Sequence, residues 1–367
     1  GRLVGETHRA DGGWHFEVVE PSSILKTLKR KPVLGAVEAW RDISIHRDGR
    51  LLAVGSDSGV SLFDLETGLD VGHLPVGYAL HPCFVPQTGE LLTYSQHGLL
   101  RWPVISPEDG EGQWTVGPPQ HLPGEAAVGS QVASDRSGRT IAIAAFKSAY
   151  IIHDSGERVI ELAGLSDCRN IAVSPDGRWV VTGNHWRGSV DVWSGETGQR
   201  VKRLREDEEL VTPRFSNDDS MLAINSGQHS VLFETQTWQE IKLAASSIEH
   251  VGAFSPDSQL FVELHSTGVN LLEASTGRKL FSLNLPSSPR IGHAAFSPDG
   301  EQIVLNSNEQ HATYVWDISQ LHRALSDIGL AWTPSNIEPA VETEPRMQSG
   351  EPLRVQIVHS LPANNEQ

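Results

Sequence analysis

The sequence predicts an all-β fold built from about seven repeats of a four-stranded antiparallel sheet. One short turn motif recurs along the chain, and two apolar segments of strand length follow each copy. The spacing between successive copies ranges from 39 to 49 residues, which is the repeat length of architectures with one four-stranded sheet per repeat. The last residues of the seven copies are Gly49, Gly89, Gly138, Gly177, Asp219, Ser258 and Gly300.

The turn motif is clearest in AFSPDG, Ala295–Gly300, which has the hydroxyl and carboxylate of a small catalytic loop. Each of its polar residues also has a role in a turn. Pro298 presets the backbone, Asp299 can bond to it, and Gly300 tolerates the positive φ that most side chains resist. Because the motif recurs at a fixed spacing, we interpret it as the turn between the first two strands of each repeat, strands a and b.

The two apolar segments after each turn predict strands b and c. In one repeat they are WVVTG, Trp179–Gly183, and VDVWS, Val190–Ser194, with a short polar break between them. A turn such as ETG, Glu196–Gly198, then precedes a fourth strand, d. Strand-length alternation of this kind, separated by Gly-rich turns, is typical of an all-β repeat fold.

Two longer phrases resemble WD-repeat β-propellers. They are VSPDGRWVVTG, Val173–Gly183, continued by VDVWSGETGQ, Val190–Gln199, and FSPDGEQIVLNS, Phe296–Ser307, continued by TYVWD, Thr313–Asp317. The resemblance implies a seven-bladed propeller of four-stranded antiparallel blades.

The chain departs from the usual WD pattern in its polar residues. Most repeats lack the Gly-His pair before strand a, and the terminal Trp-Asp survives only as Trp316-Asp317. We therefore expect the blades to be held together mainly by apolar packing.

A finer resemblance is to the C-terminal propellers of large bacterial serine/threonine protein kinases. Three segments carry it: VWDISQLHRALSDIGLAW, Val315–Trp332; the Pro/Gly-rich stretch within Leu99–Gly124; and EPLRVQIV, Glu351–Val358. It implies a piece of a longer bacterial signalling protein whose full-length chain carries a kinase domain.

Closure of the ring requires a strand from the N-terminus. No fourth strand follows Asp317; instead residues 319–329 have the Ser cap, apolar spacing and terminal Gly of a short helix. Phe16–Arg30 aligns with Val190–Leu204, so Ile24–Lys29 is predicted to complete the seventh blade. An eight-bladed alternative stays open, with Leu3–Val4, Trp14–Val19 and Leu353–Val358 as strands. The predicted organisation is a propeller over residues 1–332, a Pro/Glu-rich linker over 333–352, and a C-terminal strand and tail over 353–367.

Composition excludes several classes of function. The net charge is −17, which opposes general binding to nucleic-acid phosphates. The sequence contains no run of about 18 apolar residues, which is the length that would predict a membrane-spanning segment. Two cysteines, Cys83 and Cys168, form no disulfide framework or metal knuckle. His46-Arg47-Asp48 imitates a kinase catalytic loop, but it occupies a turn motif, and Ala53 stands where an Asn would be needed. We expect no catalytic residue, no cofactor and no metal, and a monomeric domain.

The candidate site residues lie mainly in the breaks between strands b and c. Five of these breaks carry a histidine, and one adds a Trp-Arg pair; a further Trp lies in the insert Ser106–Gly124. We expect these imidazoles to form a rim on one face of the fold. The rim could be a pH-sensitive or anion-binding surface. Alternatively, each imidazole forms a hydrogen bond within its own hairpin and has no further role. Trp and Arg are typical of interaction hot spots. The candidates are His97, His185, Trp186, Arg187, His229, His265, His311 and Trp114.

The absence of catalytic motifs favours a non-catalytic protein-protein interaction or scaffold module, the sensory or regulatory part of a signalling protein, with a protein or peptide partner. The alternative is a propeller that binds a small ligand, or acts as an enzyme, at the mouth of its central channel. Convergent ionisable groups with shifted pKa values would favour the alternative. Location is open between the cytoplasm and a membrane tether outside this sequence.

Overall fold

The structure is a computed structural model. It describes residues 3–7, 14–18, 25–29, 42–107, 112–124, 130–226, 230–241, 252–265, 268–285, 290–307, 312–327 and 351–358. Predicted features in the remaining segments, including the end of the expected helix and most of the linker 333–352, lie outside the described residues. No helix in the described segments is long and apolar enough to cross a membrane.

The described residues form an all-β structure with seven sheets that share one strand order. In each, strands a, b, c and d are antiparallel neighbours. The strands of the first four are, for sheet 1, Ile43–Ile45, Leu51–Ser56, Gly59–Asp64 and Asp70–Leu74; for sheet 2, Cys83–Phe84, Leu91–Ser95, Gly98–Trp102 and Gln120–Leu122; for sheet 3, Val132–Ser134, Thr140–Ala145, Ser148–His153 and Arg158–Leu162; and for sheet 4, Cys168–Val173, Trp179–Asn184, Gly188–Ser194 and Arg200–Glu208. The strands of the others are, for sheet 5, Thr212–Phe215, Met221–Asn225, Ser230–Glu234 and Glu240–Ile241; for sheet 6, Ala253–Phe254, Leu260–His265, Gly268–Glu273 and Lys279–Asn284; and for sheet 7, His293–Phe296, Gln302–Ser307, Ala312–Asp317 and Leu25–Lys29. One turn of 3₁₀ helix, Asp154–Gly156, lies between strands c and d of sheet 3.

The repeated motif forms the turn between strands a and b. In sheet 4, Ser174 Oγ donates to Asp176 Oδ1 at 2.7 Å and accepts from the backbone N–H of Trp179 at 2.9 Å. All seven terminal residues of the motif have left-handed φ, from 61° to 76°. Asp219 and Ser258 adopt this φ without being glycine, which Asp tolerates better than most residues. The turn function predicted for the motif is therefore confirmed.

Among the described residues, seven apolar clusters fill the spaces between the sheets. One joins Ile141 of sheet 3 to Leu92 of sheet 2, and another joins Val304 of sheet 7 to Leu52 of sheet 1. The remaining clusters connect sheets 1 with 2, 3 with 4, 4 with 5, 5 with 6, and 6 with 7. The order of contacts thus runs from sheet 1 to sheet 7 and returns to sheet 1.

The N-terminal strands add to two sheets. Leu25–Lys29 pairs antiparallel with Ala312–Asp317 and takes the fourth position of sheet 7. Trp14–Val18 pairs in parallel with Lys279–Asn284 at the edge of sheet 6, and Leu3–Thr7 pairs with it in turn. The two N-terminal strands proposed for an eighth blade therefore extend sheet 6 instead of forming a separate sheet.

The C-terminal strand pairs with the insert of sheet 2. Arg354–Ile357 lies parallel to Gln113–Val116, which is antiparallel to Val104–Ile105. This three-stranded accessory sheet packs on sheet 1, where Ile357 lies so close to Gly72 that a Cβ there would lie 2.9 Å from its Cδ1. The C-terminal strand therefore joins sheets 1 and 2 and does not pair with the N-terminal strands.

The helix spans Ile318–Ser326, and its N-cap is Asp317, the last residue of strand c of sheet 7. The Asp317 carboxylate accepts from the backbone N–H of Gln320 at 2.7 Å. The expected Ser319 cap is thus replaced by Asp317, because the carboxylate reaches the free N–H groups of the first turn. Leu321 and Leu325 bury the apolar face of the helix in the cluster between sheets 6 and 7.

Two buried tryptophans join strands b and c through hydrogen bonds. Trp102 Nε1 donates to Thr93 Oγ1 at 3.0 Å in sheet 2, and Trp193 Nε1 donates to Thr182 Oγ1 at 3.0 Å in sheet 4. In sheet 7, Trp316 is fully buried, but its Nε1 has no hydrogen-bond partner among the described residues. The Trp–Thr hydrogen bond therefore supplements the apolar packing in sheets 2 and 4, whereas strands b and c of sheet 7 are joined by a hydrogen bond from Thr313 Oγ1 to Asn306 Oδ1 at 3.3 Å.

Candidate functional site

The b–c turn of sheet 4 presents an exposed aromatic side chain. Trp186 is 62% exposed, and its ring meets that of His185 edge-on at a centroid distance of 5.0 Å. Strand b of this sheet starts at the Ser-Pro-Asp-Gly turn and ends at Asn184. Trp186 therefore lies at the opposite end of the sheet from the repeated turn motif.

The connection to sheet 5 supports this turn. The backbone N–H of Leu210 donates to the carbonyl of His185 at 3.0 Å, and that of Val211 donates to the carbonyl of Asn184 at 2.9 Å. Leu210 is exposed and has a φ of 54°. A bulky non-glycine residue in this conformation is strained. The two hydrogen bonds hold an exposed Leu and an exposed Trp at the same end of the sheet.

Charged groups flank the two apolar side chains. Arg187 Nε lies 3.2 Å from Glu209 Oε1, and both side chains are exposed. Arg169 pairs with Asp167 at 3.0 Å, and its guanidinium lies 5.0 Å from the Phe146 ring centroid. Burial, with a smaller contribution from Arg169, lowers the pKa of His185. His185 is therefore neutral near pH 7 and acts as an aromatic neighbour of Trp186.

The other predicted histidines do not gather around this turn. His97 is exposed in the b–c turn of sheet 2, and His265 is half-buried at the end of strand b in sheet 6. Sheets 2, 4 and 6 are not neighbours, so the structure does not bring His97, His185 and His265 into one site. His229 and His311 lie outside the described residues.

Trp114 is only 3% exposed, in contrast to the contact residue proposed from the sequence. Its ring packs edge-on against His46 at 5.2 Å, within the cluster between sheets 1 and 2. Because Trp114 alternates with exposed Gln113 along a strand covered by the C-terminal strand, its indole faces the core. A buried indole offers no contact surface, and we remove Trp114 from the interaction candidates.

The structure also contains a cluster of polar side chains that the sequence did not predict. Asp42 precedes strand a of sheet 1, and its carboxylate is 5% exposed. Three basic side chains from other sheets approach it: Arg214 Nη2 donates to Oδ2 at 2.7 Å, His81 Nδ1 lies 3.2 Å from Oδ2, and His293 Nδ1 lies 3.2 Å from Oδ1. The two imidazole centroids are 6.1 Å apart. We call Asp42, His81, Arg214 and His293 the strand-a cluster.

The ionisation of the strand-a cluster follows from its contacts. Burial alone would raise the pKa of Asp42, but Arg214, His293 and His81 outweigh it and hold the pKa well below its usual value. Burial lowers the pKa of His81, although Asp42 partly opposes the shift. Burial likewise raises the pKa of the nearby Cys83 thiol. The cluster at pH 7 therefore contains an Asp42–Arg214 ion pair beside a neutral His81.

These contacts determine the chemistry of the two places. Cys83 is protonated at neutral pH and unsuited to act as a nucleophile. No group of three or more His, Cys, Asp or Glu side chains within the described ranges is arranged to hold a metal ion. The turn of sheet 4 offers aromatic, aliphatic and ionic contacts, and the strand-a cluster offers hydrogen-bond donors.

One family model matches the chain. Residues 156–194 match the model described as WD domain, G-beta repeat. This segment covers strand d of sheet 3 and strands a, b and c of sheet 4, so the matched unit spans two adjacent sheets. A search of curated proteins found no match. A WD repeat suggests a protein-interaction scaffold, and propellers of this type are generally non-catalytic.

Proposed function

We propose that sheets 1 to 7 are the blades of a seven-bladed WD-type β-propeller that works as a non-catalytic protein-interaction module. The WD match in residues 156–194 supports the repeat type. The seven apolar clusters support the blade count, because each sheet packs against two others in cyclic order. A ring of this kind has no unpaired sheet face and makes a rigid platform for its turns.

The contact surface that we propose is the b–c end of sheet 4, formed by Trp186, Arg187 and Leu210. The observation that carries the proposal is the presence of two exposed apolar side chains, Trp186 and Leu210, at the same end of the sheet, because an exposed apolar patch, unlike a single exposed residue, marks an interaction surface. The Arg187–Glu209 ion pair is exposed and contributes little to stability, so Arg187 can exchange Glu209 for a carboxylate of a partner. Trp and Arg are the residues that most often dominate binding energy.

The wider setting of the module is also a proposal. The resemblance of Val315–Trp332 and Glu351–Val358 to propellers of bacterial serine/threonine kinases supports a role as the sensory or scaffolding part of a multidomain signalling protein, with a protein or peptide partner. The domain itself is proposed to be a monomer. A kinase domain in the full-length open reading frame would support this setting; an unrelated enzyme domain there would contradict it.

The contact surface is tested by comparing variants in affinity capture from the cell that makes the protein. Trp186→Ala and Arg187→Glu are expected to lose a partner that the unmodified protein retains, with unchanged thermal stability. Arg178→Glu, at the opposite end of sheet 4 and also exposed, is the charge-matched control and should retain it. Equal recovery by all variants, or no partner with the unmodified protein, would contradict the proposal.

A further inference from the structure

The strand-a cluster brings together four side chains from four sheets. Asp42 belongs to sheet 1, His81 precedes strand a of sheet 2, Arg214 lies in strand a of sheet 5, and His293 begins strand a of sheet 7. Sheet 5 does not pack against sheet 1, so the Arg214–Asp42 hydrogen bond crosses the space that the inner strands surround. In the seven-bladed ring proposed above, on which this placement rests, the four groups therefore meet on the inside and not within one sheet.

The carboxylate determines which nitrogen of His81 carries the proton. Because the pKa of Asp42 is low, its carboxylate is ionised and can only accept hydrogen bonds. His81 Nδ1 must then carry the hydrogen in the bond to Asp42, which leaves Nε2 as the free nitrogen. Among the described residues, Nε2 of His81 has no hydrogen-bond partner, and Arg214 donates only from Nη2. His293 Nδ1 lies 3.2 Å from Asp42 Oδ1 but forms no hydrogen bond with it.

The side chains that carry these nitrogens are partly open to solvent. Arg214 is 31% exposed at its side chain, and both imidazoles are partly exposed. The charged and titratable groups that act on His81 are Asp42, Arg214 and His293, and Cys83 lies within the influence of the same pair. The charges of Asp42 and Arg214 cancel, so protonation of His81 gives the cluster a net positive charge.

We propose that the strand-a cluster binds an oxyanion group, a phosphate or a carboxylate, between the Arg214 guanidinium and the ε nitrogens of His81 and His293, with uptake of a proton by His81. A protonated imidazole that donates from Nδ1 to Asp42 presents Nε2–H as a second donor. Charge-assisted bonds from Arg and His⁺ are the strong contacts for such ligands. The proton comes from solvent, and no covalent step is involved.

This inference goes beyond the interaction module, because the donors belong to sheets 2, 5 and 7 and the proposed contact surface belongs to sheet 4. Trp186→Ala should lose partner binding and keep anion binding. Variants of the strand-a cluster should lose anion binding and keep partner binding. Failure of one proposal is therefore distinguishable from failure of the other.

Calorimetry with two probes tests the site. Sulfate serves as a tetrahedral dianion whose charge does not change across the pH range, and succinate supplies carboxylates. We expect one site per chain, an affinity roughly tenfold higher near pH 6 than near pH 8, and a heat of binding that varies with the ionisation enthalpy of the buffer. Binding of sulfate alone indicates a phosphate ligand, and binding of succinate alone a carboxylate ligand; either supports the site.

The double variant His81→Gln, His293→Gln is expected to weaken binding at least tenfold and to remove the pH dependence. His121→Gln, which replaces an exposed histidine in strand d of sheet 2, is the matched control and should bind as the unmodified protein does. If the double variant does not fold, the proton uptake that accompanies binding to the unmodified protein still tests the proposal. No binding of either probe, or binding without proton uptake, would overturn the proposal.

Discussion

Arg214 donates a hydrogen bond to Asp42 at 2.7 Å although 172 residues separate them. The bond joins sheet 5 to sheet 1, whereas the apolar clusters join only sheets that are adjacent in the order of contacts. His81 and His293 extend the contact to sheets 2 and 7. One buried carboxylate thus connects four of the seven sheets.

Asp42→Asn is expected to destabilise the protein by about 2 kcal/mol at pH 7, less than for a fully buried pair because Arg214 is partly exposed. The folded-state pKa of Asp42 lies below its unfolded value, so its stabilisation is present above about pH 4 and disappears as the pH falls. Urea unfolding measured from pH 3 to pH 7 should therefore show that the free energy of unfolding falls less steeply in acid for the variant than for the unmodified protein. Asp154→Asn, in an exposed pair with Arg139, is the control; an equal effect there would contradict the assignment.

Glu263 is expected to make the protein less stable as the pH rises through neutrality. It is 1% exposed in strand b of sheet 6, and burial raises its pKa from 4.5 to about 7. Its folded-state pKa lies above the unfolded one, so ionisation opposes folding: the penalty is absent below about pH 4.5 and complete above about pH 7, at about 3 kcal/mol.

Unfolding free energies of Glu263→Gln across this range measure the penalty. The variant should lose the decline with pH, and Glu161→Gln, an exposed position in sheet 3, should keep it. A wild-type protein whose stability is flat between pH 4.5 and pH 7 would show that the carboxyl is not held in this way.

Substitutions at Gly300 test whether the turn motif requires a left-handed backbone conformation at this position. Its φ is 75°, and a Cβ would meet nothing closer than Pro256 at 3.5 Å, so only conformation opposes a side chain. We expect Gly300→Asn to be tolerated best, Gly300→Ala to cost about 1 kcal/mol, and Gly300→Val to cost more. Thermal unfolding measures the series, and a different rank order would indicate another constraint on the turn.

The two buried tryptophans Trp193 and Trp316 form a matched pair. Trp193→Phe removes the hydrogen bond to Thr182, whereas Trp316→Phe removes a donor that has no partner in the described part of the chain. Because both changes delete the same atoms, Trp193→Phe should cost about 1 kcal/mol more in unfolding free energy. Equal losses in chemical denaturation would mean that the Trp193–Thr182 bond contributes nothing net.

The repeat could be predicted from the sequence because its determinants are local. Gly177 and Gly300 mark left-handed turns, and alternating apolar residues mark the strands between them. The strand Leu25–Lys29 was predictable for the same reason, since Phe16–Arg30 aligns with another repeat. The burial of the Trp114 side chain could not be predicted, because it depends on the strand Arg354–Ile357, which is distant in the sequence.

The strand-a cluster could not be predicted for a related reason. Asp42, His81, Arg214 and His293 share no motif, and each lies in a different repeat. They meet only in the folded chain, where residues at or just before strand a of sheets 1, 2, 5 and 7 come together. A sequence signal does exist, in that each charged side chain lies at or just before a strand a, but many other positions satisfy it.

Site-specific photocrosslinking in the cell that makes the protein tests the proposed interaction surface most directly. A photoreactive phenylalanine analogue in place of Trp186 samples the b–c end of sheet 4, and the same analogue in place of Arg178 samples the opposite end. We predict a discrete protein adduct from position 186 and none from position 178. Adducts from position 178 alone, or from neither position, would contradict the account.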